Sequence, residues 1–309
     1  MSQTDVATLT AASADGASLR DWLMLLKPRV IMLVVYTGAI GLWIAPGHLH
    51  PLLGAIALLC IAVGAGAAGA MNMWFDRDID AVMRRTANRP IPAGRIAPEE
   101  ALAFGVTLAV ASVLVLGLAT NVAAAAVLAI SIAFYVGIYT MWLKRRTPQN
   151  IVIGGAAGAF PPLIGWAAVT GGSAVLPILM FAIIFLWTPP HFWSLSLYAH
   201  DDYRRAGVPM LPVVRGGRHT RWQILIYTVI LVAVSLLPWL LGQTGAIYGG
   251  CAAGLGGWFL IDAVRVLRDA QDQTGRSLTK DAPARATFKY SLLYLFLLFG
   301  ALAIDRMVG

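Results

Sequence analysis

Long apolar stretches alternate with short polar segments along the chain. Five stretches contain no Asp, Glu, Lys or Arg, at residues 30–75, 101–143, 147–200, 222–261 and 290–304. A membrane-spanning helix needs about 20 apolar residues, so each of the first four stretches can hold two helices. Each of these four also has a polar or Pro/Gly-rich break near its middle, at residues 46–51, 120–121, 170–173 and 242–245. The pattern predicts four helix pairs and a ninth single helix.

The basic residues predict how these helices are oriented. None of the four breaks contains Lys or Arg, and of 23 basic residues only Arg306 follows the last stretch. Because Lys and Arg concentrate on the cytoplasmic side of membrane proteins, the segments between stretches are expected to be cytoplasmic. The N-terminus is then cytoplasmic and the C-terminus periplasmic, as an odd number of spans requires.

Composition agrees with a membrane protein, with 59% hydrophobic residues, 12% charged residues and a mean hydropathy of +0.73. The net charge of +8 is explained by topology, so nucleic acid is not an expected partner. Residues 1–20 are polar and lack the features of a signal or transit peptide. We expect a disordered tail at 1–20, a single transmembrane domain at 21–309 and a bacterial inner-membrane location. Cys60 and Cys251 are expected to be packing residues.

The strongest chemical signal is the series Asn72, Asp76 and Asp80, at the end of an apolar stretch. On one helix, positions four residues apart share a face, so an amide and two carboxylates would form a column. Hard oxygen ligands suit Mg²⁺, which proteins often bind together with substrate phosphates. The column therefore predicts a magnesium and diphosphate site at Asp76 and Asp80. The alternative interpretation is a solvated helix end.

Basic residues near the column predict contacts to the remaining diphosphate oxygens. Positive groups there would stabilise the negative charge that develops as the diphosphate leaves. An alternative role for the Lys144–Arg146 cluster is to fix topology. The predicted diphosphate ligands are Asn72, Arg77, Arg89, Lys144 and Arg145.

A second polar cluster comprises His191, Tyr198, His200 and Asp202. If one helix carries them, His191, Tyr198 and Asp202 share a face, and His191 lies about 16 Å deeper than Asp202. Ionisable groups at that depth usually face a cavity or a partner. The alternative is a neutral His191 bonded to a neighbouring helix. Both Asp80 and Asp202 are followed by basic, Pro-containing loops, which suggests two four-helix halves around one cytoplasmic cavity.

The sequence resembles the intramembrane prenyltransferases of the UbiA type, and within them the branch that farnesylates heme. The resemblance covers roughly residues 20 to 305. Asn72-x3-Asp76-x3-Asp80 is similar to the first aspartate motif, and residues 85–90 to the loop after it. The stretches similar to the heme branch are residues 139–147, 150–155, 191–193, 202–203 and 206–212.

The resemblance implies an all-α bundle of nine transmembrane helices around a cavity open to the cytoplasm. It also implies farnesyl transfer from farnesyl diphosphate to a vinyl group of heme B, giving heme O and diphosphate with Mg²⁺ as cofactor. The catalytic residues would then be Asp76, Asp80, Asp202 and His191, with the three aspartates as metal ligands. His191, His200 and Tyr198 would contact heme. The wider family usually has a second aspartate four residues after the first, but position 206 here is Ala. The heme branch shares this departure from the wider family.

Further partners implied by the resemblance are the lipid bilayer and, as candidate proteins, heme A synthase or terminal oxidase assembly factors. Three alternatives remain open at this point. A related prenyltransferase could act on an aromatic quinone precursor, although this does not explain the heme-branch stretches. A transporter would place its site near the membrane midplane on broken helices. A structural subunit of a respiratory complex would not need the aspartate column.

Overall fold

The structure is a computed structural model that describes residues 17–272 and 275–308, most of them helical. The helices are numbered here in chain order. They are α1 (Leu19–Leu25), α2 (Pro28–Ile44), α3 (Pro51–Phe75), α4 (Arg77–Val82), α5 (Pro98–Ala119), α6 (Val122–Leu143), α7 (Asn150–Ala159), α8 (Pro161–Thr170), α9 (Val175–Tyr198), α10 (His200–Arg205), α11 (Leu211–Leu240), α12 (Ala246–Leu267) and α13 (Ala282–Val308).

The membrane-spanning pattern agrees with the prediction from the sequence. In the part of the chain that the structure describes, eight helical segments are long and apolar enough to cross a membrane, with α7 and α8 counted together. A ninth is obtained if α1 and α2, which are bent by 53° relative to each other, form one broken span. Each predicted break separates two helices; α2 ends at Ile44 and α3 starts at Pro51, for example.

The first helix begins inside the segment expected to be a tail. Ser18 caps α1 by accepting a hydrogen bond from the Asp21 backbone, and the Asp21 carboxylate accepts from the Ser18 backbone in return. Such a reciprocal cap satisfies two backbone donors at a helix start. Among the described residues the helical part therefore begins at Leu19, inside the tail predicted at residues 1–20. Residues 1–16 of that tail lie outside the described residues.

Glycines allow α2 and α8 to cross at very close range. A Cβ added at Gly165 would lie 2.1 Å from the Gly38 carbonyl oxygen, and one added at Gly41 would lie 2.3 Å from that of Pro162. Small residues are common where helices in membranes pack closely. The Pro161-Pro162 pair starts α8 directly after Phe160, which caps the end of α7.

Two large apolar clusters lie inside the bundle, and both include residues of α8. The first joins α3, α5, α6 and α8 and includes Ile61, Leu116 and Leu128. The second joins α9, α11, α12 and α13 and includes Met180 and Phe259. Helices α3, α6 and α9 all run toward the same side of the bundle, so the ends of α3 and α9 bring both polar motifs to that side.

Candidate functional site: a buried charge cluster at the end of α3

The Asn72, Asp76 and Asp80 column forms, but not on one continuous helix. Helix α3 ends at Phe75 and α4 begins at Arg77, so the expectation of a single helix was wrong. The alignment survives because the Asp76 amide donates to the Asn72 carbonyl at 2.9 Å and the Asp80 amide donates to that of Asp76 at 2.8 Å. All three side chains are buried, and Asp76 is 0% exposed.

Cations from the end of α6 meet the Asp76 carboxylate. The Lys144 ammonium forms a short ion pair with Asp76 Oδ2, which also accepts from Asn72 Nδ2 at 2.7 Å. One Arg145 nitrogen lies 3.7 Å from Asp76 Oδ1. The Arg145 guanidinium binds Asp78 through two hydrogen bonds of 2.7 and 2.8 Å. The hydrogen bond from Arg145 lowers the pKa of Asp78, so this pair is charged at neutral pH.

Asp80 has a cation of its own. Arg89 Nη1 donates to Asp80 Oδ2 at 2.6 Å, and the Asp80 side chain is 3% exposed. The Thr86 hydroxyl donates to the Asp80 carbonyl at 2.9 Å, which fixes the turn that returns Arg89 to the carboxylate. Of the predicted diphosphate ligands, Asn72, Arg89, Lys144 and Arg145 therefore gather at the two carboxylates.

Arg77 does not join this cluster. Its guanidinium donates to the Trp74 carbonyl at 2.8 Å and lies 5.7 Å from the Trp74 ring centroid. Its side chain is exposed. Arg77 stays a predicted diphosphate ligand, but it lies apart from the residues that meet Asp76 and Asp80.

The sequence did not point to two residues that complete the cluster, Lys27 and Thr140. Lys27 Nζ donates to Asn72 Oδ1 at 2.7 Å, and Asn72 Nδ2 donates to the Thr140 hydroxyl at 3.1 Å. Lys27 adopts φ of +55°, which is rare outside glycine. The corner it occupies packs closely on α3, because a Cβ added at Gly66 would lie 3.0 Å from Leu26 Cβ. From the sequence, Lys27 was counted only among the basic residues that predict the orientation of the helices.

The carboxylates of this cluster fit a magnesium ion. Asp76 Oδ1 is fully buried and accepts no hydrogen bond from the described residues, which is costly for a carboxylate oxygen unless a ligand or ion meets it. Asp76 and Asp80 supply the hard oxygen ligands that Mg²⁺ prefers. Within residues 17–272 and 275–308, however, no three His, Cys, Asp or Glu side chains are placed to share one metal ion. Asp202 thus does not form a joint three-carboxylate group with Asp76 and Asp80.

An apolar cavity of about 130 Å³ begins beside Lys27. It extends into the bundle between α2, α3, α6, α7 and α8. Its wall is almost entirely hydrophobic, with Tyr135 and Ser131 as further polar groups. An extended hydrocarbon chain is the kind of ligand that such a wall accommodates. Residues along its length include Val34, Ile61, Leu128, Ile132, Pro161 and Ile164.

The second polar cluster also spans a helix break. Helix α9 ends at Tyr198 and α10 begins at His200, so one helix does not carry His191 and Asp202, contrary to expectation. Asp202 forms a short ion pair with Arg205. His200 Nδ1 lies 3.3 Å from Asp201 Oδ1, and this hydrogen bond lowers the pKa of Asp201.

The loops after the two motifs pack against each other, as the internal repeat suggested. Ile79 and Met83 from the first loop share an apolar cluster with Tyr203 and Met210 from the second. Arg85 Nη2 donates to the Tyr203 hydroxyl at 3.4 Å. The two halves of the bundle therefore meet at the same end, beside the buried carboxylates.

His191 is buried among aromatic rings. It stacks on Trp187 at 4.3 Å and on Phe288 at 4.5 Å between ring centroids. Its Nδ1 shares a hydrogen bond of 2.7 Å with the Ser291 hydroxyl, which matches the alternative of a His bonded to a neighbouring helix. In the described residues Nε2 has no hydrogen-bond partner, so it is the ring nitrogen that remains free for a ligand.

Tyr198 is the last residue of α9, and its ring contacts Phe288. Its ring meets Phe288 edge to face, with centroids 6.2 Å apart. The Arg285 guanidinium carbon lies 4.3 Å from the Tyr198 ring centroid. Tyr198 and His191 thus both contact Phe288, whereas His200 is nearer the surface and pairs with Asp201.

Comparison with known sequences identifies the family. Residues 34–293 match the UbiA prenyltransferase family. The protoheme IX farnesyltransferase of Granulibacter bethesdensis is 68% identical over 300 residues, which cover 97% of this chain and 95% of the relative. The enzyme of the same name from Acidiphilium cryptum is 66% identical over 293 residues, covering 95% and 92%.

Solved structures show the same fold at lower identity. A structure of digeranylgeranylglyceryl phosphate synthase has a TM-score of 0.75 at 20% identity and covers 94% of this chain and 99% of its own. A UbiA homolog from Archaeoglobus fulgidus, bound to DMAPP and Mg²⁺, has a TM-score of 0.63 at 16% identity and covers 92% and 99%. Since the sequence match spans most of the chain, the chain belongs to the UbiA prenyltransferase family.

Proposed function

We propose that this chain transfers a farnesyl group from farnesyl diphosphate to a vinyl group of heme B, giving heme O and diphosphate. The observation that carries the proposal is near full-length similarity, at 56–68% identity, to several relatives named protoheme IX farnesyltransferase. The stretches of the sequence that resemble the heme branch point to the same reaction. The alternatives of a quinone-precursor prenyltransferase, a transporter and a structural subunit lack comparable support.

We infer that the buried cluster at the end of α3 receives the diphosphate. Asp76 and Asp80 would hold Mg²⁺. Asp76 Oδ1 supports this, because it is buried and accepts no hydrogen bond from the described residues. When bound, the metal ion would neutralise diphosphate charge as a Lewis acid. Magnesium occurs with a prenyl diphosphate in the structure of the Archaeoglobus fulgidus homolog. Asp202 is a proposed further metal ligand from the second half, at the end where both loops pack together.

The basic residues of the cluster would bind diphosphate oxygens. Lys144 and Arg89 already contact the two buried carboxylates, so a diphosphate placed there would meet both cations. Arg145 is oriented by Asp78, and Lys27 by Asn72. Fixed cations at this position stabilise charge on the leaving group without having to reorient during the reaction.

We place the farnesyl chain in the apolar cavity that starts at Lys27. The cavity leads from the charge cluster into the apolar interior of the bundle, so one end of the substrate would meet cations and the other hydrocarbon. Tyr135 lines the cavity. The ring centroids of Tyr135 and Tyr139 are 5.3 Å apart. Their ring faces are suited to stabilise an allylic cation near the diphosphate.

The chemistry is balanced by one water molecule. The bond between farnesyl C1 and oxygen breaks, and its electron pair leaves with the diphosphate. The vinyl π electrons of heme B form the new carbon–carbon bond to C1. Water then adds to the resulting cation next to the macrocycle and loses a proton to solvent, leaving a hydroxyl group.

For heme we propose His191, Tyr198 and His200 as contacts. His191 offers a free Nε2 within an aromatic pocket, which suits either ligation of iron or contact with a flat macrocycle. Tyr198 adds a ring beside Phe288. His200, near the surface and beside Asp201, is the alternative ligand.

The proposal predicts separate roles for His191 and the carboxylates. His191→Phe keeps a ring between Trp187 and Phe288 but removes the ring nitrogens. We expect the affinity for heme B, measured by absorbance titration, to fall at least about tenfold. This corresponds to a loss of roughly 1.4 kcal/mol of binding free energy. Affinity for farnesyl diphosphate with Mg²⁺ should stay within about twofold of the unmodified protein.

Ser291→Ala is the matched control for this experiment, because it removes the Nδ1 hydrogen bond and keeps the imidazole. We expect a smaller loss of heme affinity than with His191→Phe. If His191→Phe instead lost diphosphate binding and kept heme binding, the proposed placement of the two substrates would be wrong.

We also propose an inner-membrane location with a cytoplasmic N-terminus and a periplasmic C-terminus. Residues 77–98 and 203–221 should be cytoplasmic, and residues 46–51 and 306–309 should be periplasmic, because of the division of basic residues. Single cysteines at positions 88 and 48, in a Cys60- and Cys251-free chain, can be labelled from each side. Labelling of position 88 from the periplasm would contradict this topology.

The direct test of the proposed function is acceptor choice. Purified protein with farnesyl diphosphate and Mg²⁺ is offered heme B, an aromatic quinone precursor or neither, and products are identified by mass. We expect farnesylated and hydrated heme only with heme B, together with released diphosphate. Prenylation of the aromatic acceptor alone would contradict the proposal.

We further propose that heme O passes on to heme A synthase or to a terminal oxidase assembly factor.

A further inference from the structure

A second, larger groove lies on the outer surface, between the end of α12 and the start of α13. Its volume is about 950 Å³, and none of the residues of the charge cluster lines it. The start of α13 and the end of α12 flank the segment 268–281, which the basic residues place on the cytoplasmic side. Its floor is apolar, formed by Leu260, Ile261, Val264, Pro283 and Ala286.

Two arginines form the polar end of this groove. Arg265 and Arg268 line it and are exposed. Arg265 pairs with Asp262 at 2.9 Å and lies 5.6 Å from the ring centroid of Trp258, a residue that is 50% exposed. The Arg268 guanidinium forms no hydrogen bond or ion pair with any described residue. Arg and Trp are typical of the interface between lipid headgroups and hydrocarbon.

The acidic residue in the groove wall, Asp269, is bonded to other groups and not to these two arginines. Asp269 is buried, and its carboxylate contacts Arg221 at 3.4 Å and accepts from the Thr279 hydroxyl at 2.6 Å. Arg221 is itself buried and also pairs with Asp281 at 3.0 Å. These contacts connect both ends of the segment 268–281. Of the charged side chains that line the groove, Arg265 and Asp269 have described partners, and the Arg268 guanidinium has none.

We propose that this groove binds an anionic phospholipid of the cytoplasmic leaflet. Its phosphate would lie between Arg265 and Arg268, and its acyl chains would follow the apolar floor toward the membrane interior. Basic pockets between transmembrane helices on the cytoplasmic side recognise anionic headgroups, and each Lys or Arg near the surface strengthens attraction to them. A zwitterionic lipid would gain less, because its own cation opposes that of Arg268.

Quenching of Trp258 by brominated lipids tests the proposal. Full-length protein in detergent is titrated with brominated phosphatidylglycerol or phosphatidylcholine, and the Trp258 signal is the difference from Trp258→Phe. We expect at least about fivefold tighter binding of phosphatidylglycerol. Arg268→Gln should abolish that preference, as should Arg265→Gln with Arg268→Gln. The single variant changes a side chain that has no described partner and keeps the backbone hydrogen bond to Val264, so it is expected to fold.

Arg215→Gln with Arg218→Gln is the matched control, because it removes two exposed arginines at the start of α11. It should keep the preference for phosphatidylglycerol. Equal quenching by both lipids, or an undiminished preference in Arg268→Gln, would overturn the proposal. The same holds if heme B, and no phospholipid, quenches Trp258 in a manner that depends on Arg268.

Discussion

Asp76→Asn is expected to reduce heme O formation at least about 1,000-fold, because a bound metal ion contributes several kilocalories per mole to stabilising charge in the transition state. The substitution removes the charge needed to hold that ion. It keeps an oxygen that can accept from Lys144 and Asn72. Asp76→Ala would in addition leave the partly buried Lys144 without its carboxylate partner, so a larger loss of stability is expected than for Asp76→Asn. Activity and thermal unfolding should be measured together.

Asp78→Asn is the matched control for Asp76→Asn. Asp78 lies two residues further along and its side chain is 61% exposed, but its only described cation is Arg145. Loss of this orienting contact should lower activity less than about tenfold, since exposed ion pairs contribute about 1 kcal/mol or less. Activity of Asp76→Asn close to that of the unmodified protein would contradict a metal role for Asp76.

Lys144→Gln is expected to reduce kcat about 100- to 1,000-fold, the usual effect of losing one fixed group that stabilises a developing negative charge. Lys144 meets the fully buried Asp76 carboxylate from the end of α6, and its side chain is only 18% exposed. Gln retains a donor for Asp76 but carries no charge to the leaving diphosphate. Single-turnover kinetics with saturating heme B and farnesyl diphosphate measure this effect on the chemical step.

Arg146→Gln provides the control at the neighbouring position. Arg146 is exposed and belongs to the same basic cluster, so it shares a topological role but not the contact with Asp76. We expect nearly unchanged turnover and unchanged orientation. If both variants lost activity equally, the cluster would act through topology, as the alternative interpretation of Lys144–Arg146 holds.

Hydropathy predicted the helices of the bundle well because lipid imposes strict rules on helix length. The breaks at residues 46–51 and 120–121 needed only the loss of apolar character between two helices. The column of Asn72, Asp76 and Asp80 was visible for a similar reason, since hydrogen bonds four residues apart persist through the break at Asp76.

The parts of the site that the sequence did not predict depend on contacts between residues that are distant in sequence. Lys27 and Asn72 are 45 positions apart, and Asn72 and Thr140 are 68 apart. The π-helical turn that carries Thr140, at Phe134–Leu143, has no distinctive signature in an apolar stretch. The break at Ala199, which separates His191 from Asp202, was likewise not apparent. No local pattern encodes such pairings, so they emerge only when helices pack.

The central claim is that the buried cluster at the end of α3 is a metal-dependent diphosphate site. Calorimetric titration with a non-reactive farnesyl thiodiphosphate, with Mg²⁺ and with excess chelator, tests it directly. We predict tight binding only with Mg²⁺ in the unmodified protein, and loss of the magnesium-dependent part in Asp76→Asn and Asp80→Asn. Equal affinity with and without Mg²⁺, or magnesium-dependent binding that survives both substitutions, would contradict the account.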